Sequence, residues 1–252
     1  MTLANINLIS IIWIIVALLL LPIQLKITAP YGRHTSKNWG FLIPNKLGWF
    51  LMEIPSLLIM LFFCYKTYIE NNNNVSIFLM SCWILHYFNR AIIFPLRTKT
   101  ANKKMPISIV FSAIFFNYIN AFLNGYFFLN FANYATTVFS TPIFIIGLFL
   151  FLVGMIINNY SDSILINLRK PGQMDYSIPT GFLFNKISCP NLFGEMIEWI
   201  GFALMVQHLP ALSFAVWTIC NLLPRAISHH KWYLQHFPDY PKNRKAVIPF
   251  LV

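Results

Sequence analysis

Apolar residues gather into long runs separated by short polar stretches, at about 6–25, 47–65, 75–96, 106–131, 142–166, 193–208 and 210–232. Crossing a bilayer takes roughly 20 apolar residues, so each run reads as a membrane helix. The last two could form one stretch, but Pro210, after Gln207-His208-Leu209, argues for a break. The pattern predicts an all-α integral membrane protein with a seven-transmembrane-helix bundle. The first run has no basic segment before it and no small-x-small cleavage site after it, so it reads as a helix rather than a signal peptide.

The basic residues give an independent test of the count. Lys26, Arg33, Lys37 and Lys46 follow the first run; Arg97, Lys99, Lys103 and Lys104 follow the third. Arg169, Lys170 and Lys186 follow the fifth, and Arg225, Lys231, Lys242, Arg244 and Lys245 close the chain. Sixteen of the 18 basic residues therefore lie in alternate loops, which requires an odd number of crossings. By the positive-inside rule the N-terminus is outside or lumenal and the C-terminus cytosolic.

Composition agrees. The 252 residues are 58% hydrophobic and 10% charged, against about 25% charged in a soluble domain. Mean hydropathy is +0.63. The formal charge of +11 is spread over membrane-flanking loops, so it marks topology and not nucleic-acid binding. Cys64, Cys82, Cys189 and Cys220 have neither metal nor redox spacing, and neither disulfide nor metal is expected. No G-x-G occurs, so a dinucleotide would have to be held by something other than a Rossmann turn or a P-loop. No internal repeat is visible, which weakens a transporter reading. The whole chain, 1–252, reads as one membrane domain.

Ionisable groups at bilayer depth are costly and mark candidate function. They are Glu53, His86, Arg90, Asp162, Glu195 and Glu198. Asn158 and Asp162 are four residues apart, as are Asn191 and Glu195, while Arg225, His229 and Tyr233 form an i, i+4, i+8 stripe. All three groups lie toward the cytosolic side and together would line a polar cavity suited to a nucleotide, with arginine for phosphate. Plainer readings exist. Arg225 is also what a snorkelling helix-end cation looks like. A lone His229 is commonly structural, Glu198 could pair at headgroup level, and Tyr87 could be one more aromatic. Glu53 stands between apolar neighbours in Phe50-Leu51-Met52-Glu53-Ile54-Pro55, where a carboxyl favours its neutral form and can donate to a carbonyl.

The C-terminal run Leu223-Pro224-Arg225-Ala226-Ile227-Ser228-His229-His230-Lys231-Trp232-Tyr233, continuing through Phe237 to Tyr240-Pro241-Lys242-Asn243-Arg244-Lys245-Ala246, resembles the steroid 5α-reductase family. So do Gly154-Met155-Ile156-Ile157-Asn158, Leu168-Arg169-Lys170-Pro171-Gly172, Tyr176-x-Ile178-Pro179 and Gly194-Glu195-x-Ile197-Glu198-Trp199. The likeness is dense from about 147 onward and thinner at Phe50-Leu51-x-Glu53-x-Pro55-Ser56 and Leu85-His86-Tyr87-Phe88-x-Arg90.

That resemblance implies reduction by NADPH of the Δ4 double bond of a 3-oxo-Δ4 steroid, or of another lipid-soluble enone, in the endoplasmic reticulum or a bacterial inner membrane. It implies Glu53 and Tyr87 as the catalytic pair at the substrate ketone. It implies Asn158, Asp162, Arg169, Tyr176, Asn191, Glu195, Arg225, His229, Tyr233 and Arg244 as the cofactor site. Residues 1–105 would then supply part of the substrate pocket and 106–252 the cofactor signature. Ser112 stands where the family's animal members lead us to expect arginine. Three alternatives remain at this point: a related sterol, polyprenol or enoyl reductase, an isoprenylcysteine-type methyltransferase, and a non-catalytic sterol-binding protein.

Overall fold

The computed structural model describes residues 1–30, 32–100, 103–168 and 176–252. Among these, seven helices carry the fold. They are α1 (Leu3–Lys26), α2 (Asn45–Glu70), α3 (Asn74–Arg97), α4 (Ile107–Asn130), α5 (Pro142–Asn167), α6 (Pro190–Val206) and α7 (Leu209–His236). Six of them are long and apolar enough to cross a membrane. The exception, α6, has 17 residues and falls just short of the usual span. This is a multi-pass membrane protein, and apolar side chains such as Leu19, Phe62, Phe111 and Phe149 point outward.

Local chemistry sets the ends. Thr2 accepts from the Asn5 N–H at the start of α1, and Asn73 accepts from the Ser76 N–H at the start of α3. The expected break before Pro210 is present: Gln207 turns into the left-handed region (φ 55°), and Pro210 sits in the first turn of α7. One feature has no sequence signal. Within α3 the α-helical stretch Asn74–Phe88 passes into a π-helical turn, Asn89–Ile93, before Phe94–Arg97. A two-stranded antiparallel ribbon, β1 (Leu42–Pro44) with β2 (Lys104–Pro106), ties the α1–α2 connection to the α3–α4 connection.

The core is aromatic. Trp83 of α3 lies 4.5 Å from Phe214 of α7 and 5.0 Å from Trp199 of α6, ring centre to ring centre. Its Nε1–H donates to Ser56 Oγ of α2 at 3.0 Å, so the indole's polar edge is paired. Helix α1 is mostly exposed and holds on through Trp13, whose ring packs at a tilt against Trp217, 4.7 Å centre to centre, and whose carbonyl accepts from the Trp217 Nε1–H at 2.7 Å.

The tightest contact is between α5 and α6. A methyl group on Gly154 would lie 2.3 Å from the Glu198 nitrogen, and one on Gly194 would lie 2.5 Å from the Asn158 nitrogen. Gly147 and Gly201 meet in the same way one layer along. Glycines seven apart on each helix share a face, and without side chains they let the two backbones touch. Asn158 and Asp162 are thereby carried against Asn191 and Glu195.

Candidate active site

A cavity of about 640 Å³ opens between α1, α2, α3, α4 and α7, with α5 and α6 at one side. Eight of the expected residues line it: Glu53, Tyr87, Asp162, Asn191, Glu195, Arg225, His229 and Tyr233. Its charges are divided between two regions.

The first region centres on Arg90. The turn of π-helix places its guanidinium over the rings of Phe94 (4.8 Å) and Trp49 (5.1 Å). Nη1 donates to Asp162 Oδ2 at 2.9 Å and Nη2 to Glu195 Oε2 at 3.2 Å. Asn191 Nδ2 donates to the other Asp162 oxygen at 2.9 Å. Asn158 Nδ2 reaches Glu195 Oε2 and the Asn191 carbonyl, from behind the lining. A buried carboxylate and a partly buried one share one arginine and two amide donors, so each has hydrogen-bond partners although the guanidinium balances only one of the two charges. The i, i+4 pairs seen in sequence do converge, but Arg90 is what joins them.

The second region is cationic. Arg225, His229 and Tyr233 come from α7, and the α1–α2 connection folds over them. From that connection Arg33 donates to Tyr233 Oη at 3.2 Å and packs over the rings of Tyr176, Trp232 and Tyr233. The His34 and His229 rings stack, with His34 Nε2 3.3 Å from His229 Nδ1. One of those nitrogens must donate and the other accept, so at least one ring is neutral. Partial burial, then the Arg33 and His236 charges, hold the His34 imidazole below its ordinary range. Burial pushes the neighbouring Cys189 thiol up to about 12, which makes it a poor nucleophile. Neither α7 nor the α1–α2 connection contributes a carboxylate to the lining, and Arg33 Nη1 is buried without a partner among the described residues. A buried, unmatched guanidinium N–H in a lining that also holds Arg225 suits a phosphate oxygen. The residues present therefore fit a phosphorylated dinucleotide.

A third group in the lining is a hydrogen-bonded chain of three side chains. Tyr87 Oη donates to Asn117 Oδ1 at 3.0 Å, and Asn117 Nδ2 donates to Glu53 Oε2 at 3.1 Å and to the Met52 carbonyl at 2.7 Å. An apolar part of the same lining comes from Trp13, Val16, Ile109, Ala113, Phe116 and Trp217. Ser112 lines this apolar arm, and its hydroxyl is returned to the Ile109 carbonyl at 2.9 Å.

Other expected residues stand elsewhere. Arg244 is buried and donates to the Pro179 carbonyl at 2.9 Å, which anchors the C-terminal segment instead of lining the cavity. Tyr176 takes part through its ring, under Arg33 and Lys103. Arg169 lies outside the described residues. Glu198 is not at headgroup level: it is fully buried and paired with His86 Nδ1 at 2.8 Å. Sequence reasoning missed Asn117 altogether. It also read Arg33 as a topology charge only, and left Arg90 without a partner. The available signals for Asn117 were its place directly after Phe115-Phe116 and its i, i+3, i+7 spacing with Asn120 and Asn124.

Comparison with known proteins identifies the family. A family profile described as 3-oxo-5-alpha-steroid 4-dehydrogenase matches residues 103–252. The steroid 5-alpha-reductase DET2 of Solanum lycopersicum is 44% identical over 230 residues, 89% of this chain and 88% of the relative. The 3-oxo-5-alpha-steroid 4-dehydrogenase 1 of Mus musculus is 40% identical over 223 residues, 88% of this chain and 87% of the relative. The steroid 5-alpha-reductase DET2 of Gossypium hirsutum is 41% identical over 228 residues, 88% of each chain. This chain belongs to the 3-oxo-5-alpha-steroid 4-dehydrogenase family, oxidoreductases that act on CH–CH groups.

Proposed function

We propose that the protein reduces the Δ4 double bond of a 3-oxo-Δ4 steroid with NADPH, giving the 5α-reduced ketone. The observation that carries this reading is that Glu53 and Tyr87, both hydrogen-bonded to Asn117, line the same cavity as a set of apolar walls and a cationic group. The apolar arm takes the steroid body. Arg33 and Arg225 hold phosphate, while Asn191, His229 and Tyr233 supply further polar contacts to the dinucleotide. When bound, NADPH supplies the hydride for the enone β-carbon, and a proton from solvent at the α-carbon completes the saturated ketone.

The chain's own part is electrostatic. A donor aimed at the ketone oxygen makes the β-carbon electrophilic. The same donor stabilises the charge that collects on that oxygen as hydride arrives, and such preorganised donors are worth about 3–4 kcal/mol each. Glu53 in its neutral form is that donor, with Tyr87 beside it. The apolar walls keep water from the hydride path. We further propose seven crossings, with the cationic end of the cavity on the cytosolic side as the basic loops indicate. Helices of 1–105 contribute Glu53 and Tyr87, and 106–252 contribute most of the cofactor contacts.

The test is NADPH consumption by detergent-purified protein with testosterone or progesterone, with product stereochemistry read by NMR. A 5α-reduced product is expected. Glu53→Gln is expected to lower kcat by about 10²-fold while keeping NADPH bound. Full enone reduction by Glu53→Gln would refute the ketone-polarising role.

A further inference from the structure

The group Glu53–Asn117–Tyr87 contains one residue that the proposed chemistry has not used. Asn117 is buried and lies between the two residues assigned to the ketone. Its orientation can be settled from its partners. The Met52 carbonyl can only accept, so the amide end facing it at 2.7 Å is the NH₂. The second N–H of the same group goes to Glu53 Oε2. Both donors are then used, and Oδ1 must face Tyr87. Oδ1 can only accept, so the single Tyr87 hydroxyl proton points at Asn117.

We infer that Asn117 is a positioning residue for ketone reduction: it fixes the direction of the Tyr87 O–H and the orientation of the Glu53 carboxyl at once. This rests on the ketone-binding reading of Glu53 and Tyr87. Two consequences follow from the geometry. Glu53 is held by Oε2, so its Oε1 is the oxygen presented to a cavity ligand, and a proton carried there reaches the ketone without rearrangement. The Tyr87 proton is engaged by Asn117, so Tyr87 acts on the reaction through Asn117 or must first leave it.

The anchor is also rigid. Met52 O belongs to the backbone of α2 one residue before Glu53, so the amide is referenced to the same helix that carries the carboxyl. A side chain that merely filled space would need no such matched donors and acceptors. Leaving them unmade in a buried setting is costly.

The experiment is a double-mutant cycle in the full-length protein, using Asn117→Ala, Tyr87→Phe and their combination. Turnover of a 3-oxo-Δ4 steroid is read alongside NADPH retention by fluorescence. Asn117→Ala is expected to lower kcat by about tenfold or more, with steroid KM and NADPH retention within about threefold of wild type. The double variant is expected to be slower than Tyr87→Phe alone, through the lost Glu53 contact, but by clearly less than the product of the two single losses, because Asn117 and Tyr87 share one interaction. Fold-losses that multiply in the double variant overturn the inference, as does unchanged kcat in Asn117→Ala.

Asn117→Asp keeps the shape and the acceptor for Tyr87 but loses both donors. It is expected to lose kcat as well, and it serves if the alanine variant does not fold. Wild-type kcat in Asn117→Asp rules out the Glu53 half of the inference. Full turnover in Glu53→Gln would remove the parent reading instead. Reduced turnover in Glu53→Gln, together with wild-type kcat in the Asn117 variants, would remove this inference alone.

Discussion

Adding one methyl group to Gly154 perturbs the site without touching it. The new carbon would sit 2.3 Å from the Glu198 nitrogen and 2.5 Å from the Gly194 carbonyl oxygen, both backbone atoms that no rotamer change can move. Reaching ordinary contact requires α5 and α6 to part by about 1 Å, and such overpacking costs about 1–3 kcal/mol. Alanine recovers about 1 kcal/mol in helix propensity, so the net loss of stability is small. The functional loss is larger. Asn158 and Asp162 lie one and two turns beyond Gly154 on α5 and meet Asn191 and Glu195 on α6. A displacement of about 1 Å there is expected to cost about 10²-fold in turnover.

The assay pairs thermal unfolding in detergent with NADPH retention and steroid reduction. The control is Gly48→Ala, whose methyl has as its three nearest neighbours atoms of the buried Met105 side chain, sulfur at 2.3 Å, a flexible thioether and not a backbone. Gly154→Ala should melt only slightly earlier than wild type yet hold NADPH and turn over far more weakly, while Gly48→Ala stays close to wild type. Wild-type activity in Gly154→Ala would refute the claim that the glycine contact sets the spacing of the site.

Other expectations follow from the same geometry. Arg90→Leu leaves Asp162 and Glu195 with amide donors but no counter-charge, and a loss of about 3–5 kcal/mol in unfolding free energy is expected; an unchanged melting profile would refute the stabilising role of the ion pairs. Asn191→Ala removes the amide that orients Asp162 and should weaken NADPH retention by roughly tenfold in fluorescence titration. The His34 imidazole is held below its ordinary range in the folded chain, so the unfolded chain takes up a proton first as pH falls. Docking of the 27–44 connection should therefore be firm above about pH 6.5 and loosen below it. Limited proteolysis of that segment at about pH 5.5 and about pH 7.5 should show faster cleavage at the lower value, and equal rates would exclude the His34 contact as its cause.

The helices were legible because lipid demands continuous apolar runs, and Pro210 gave away the turn after Gln207. The i, i+4 spacings placed Asn158 with Asp162 and Asn191 with Glu195, because helix geometry is fixed by the backbone alone. What spacing could not show was which residue from another helix would complete each group. Arg90 is 72 residues from Asp162 and 105 from Glu195, and nothing local links them. Arg33 and His34 sit in a connection where basic residues are already explained by topology, so their role over α7 was hidden behind a sufficient reason. Arg244 stands out for its place in a recognisable motif, and spacing could not show that its guanidinium also holds the backbone at Pro179.

The π-helical turn at Asn89–Ile93 makes chain length part of the site. Such a turn takes up a residue that a regular α-helix has no room for. Removing one residue between 89 and 93 would restore an ordinary helix and rotate everything beyond it by about 100° relative to what precedes it. Tyr87 and Phe94 now line one cavity from opposite sides of that turn, so the shortened helix could keep its hydrogen bonds and its membrane span and still lose the site. Substitutions here test chemistry, but insertions and deletions test registration. In α3 the count of residues is as much a determinant of specificity as their identity.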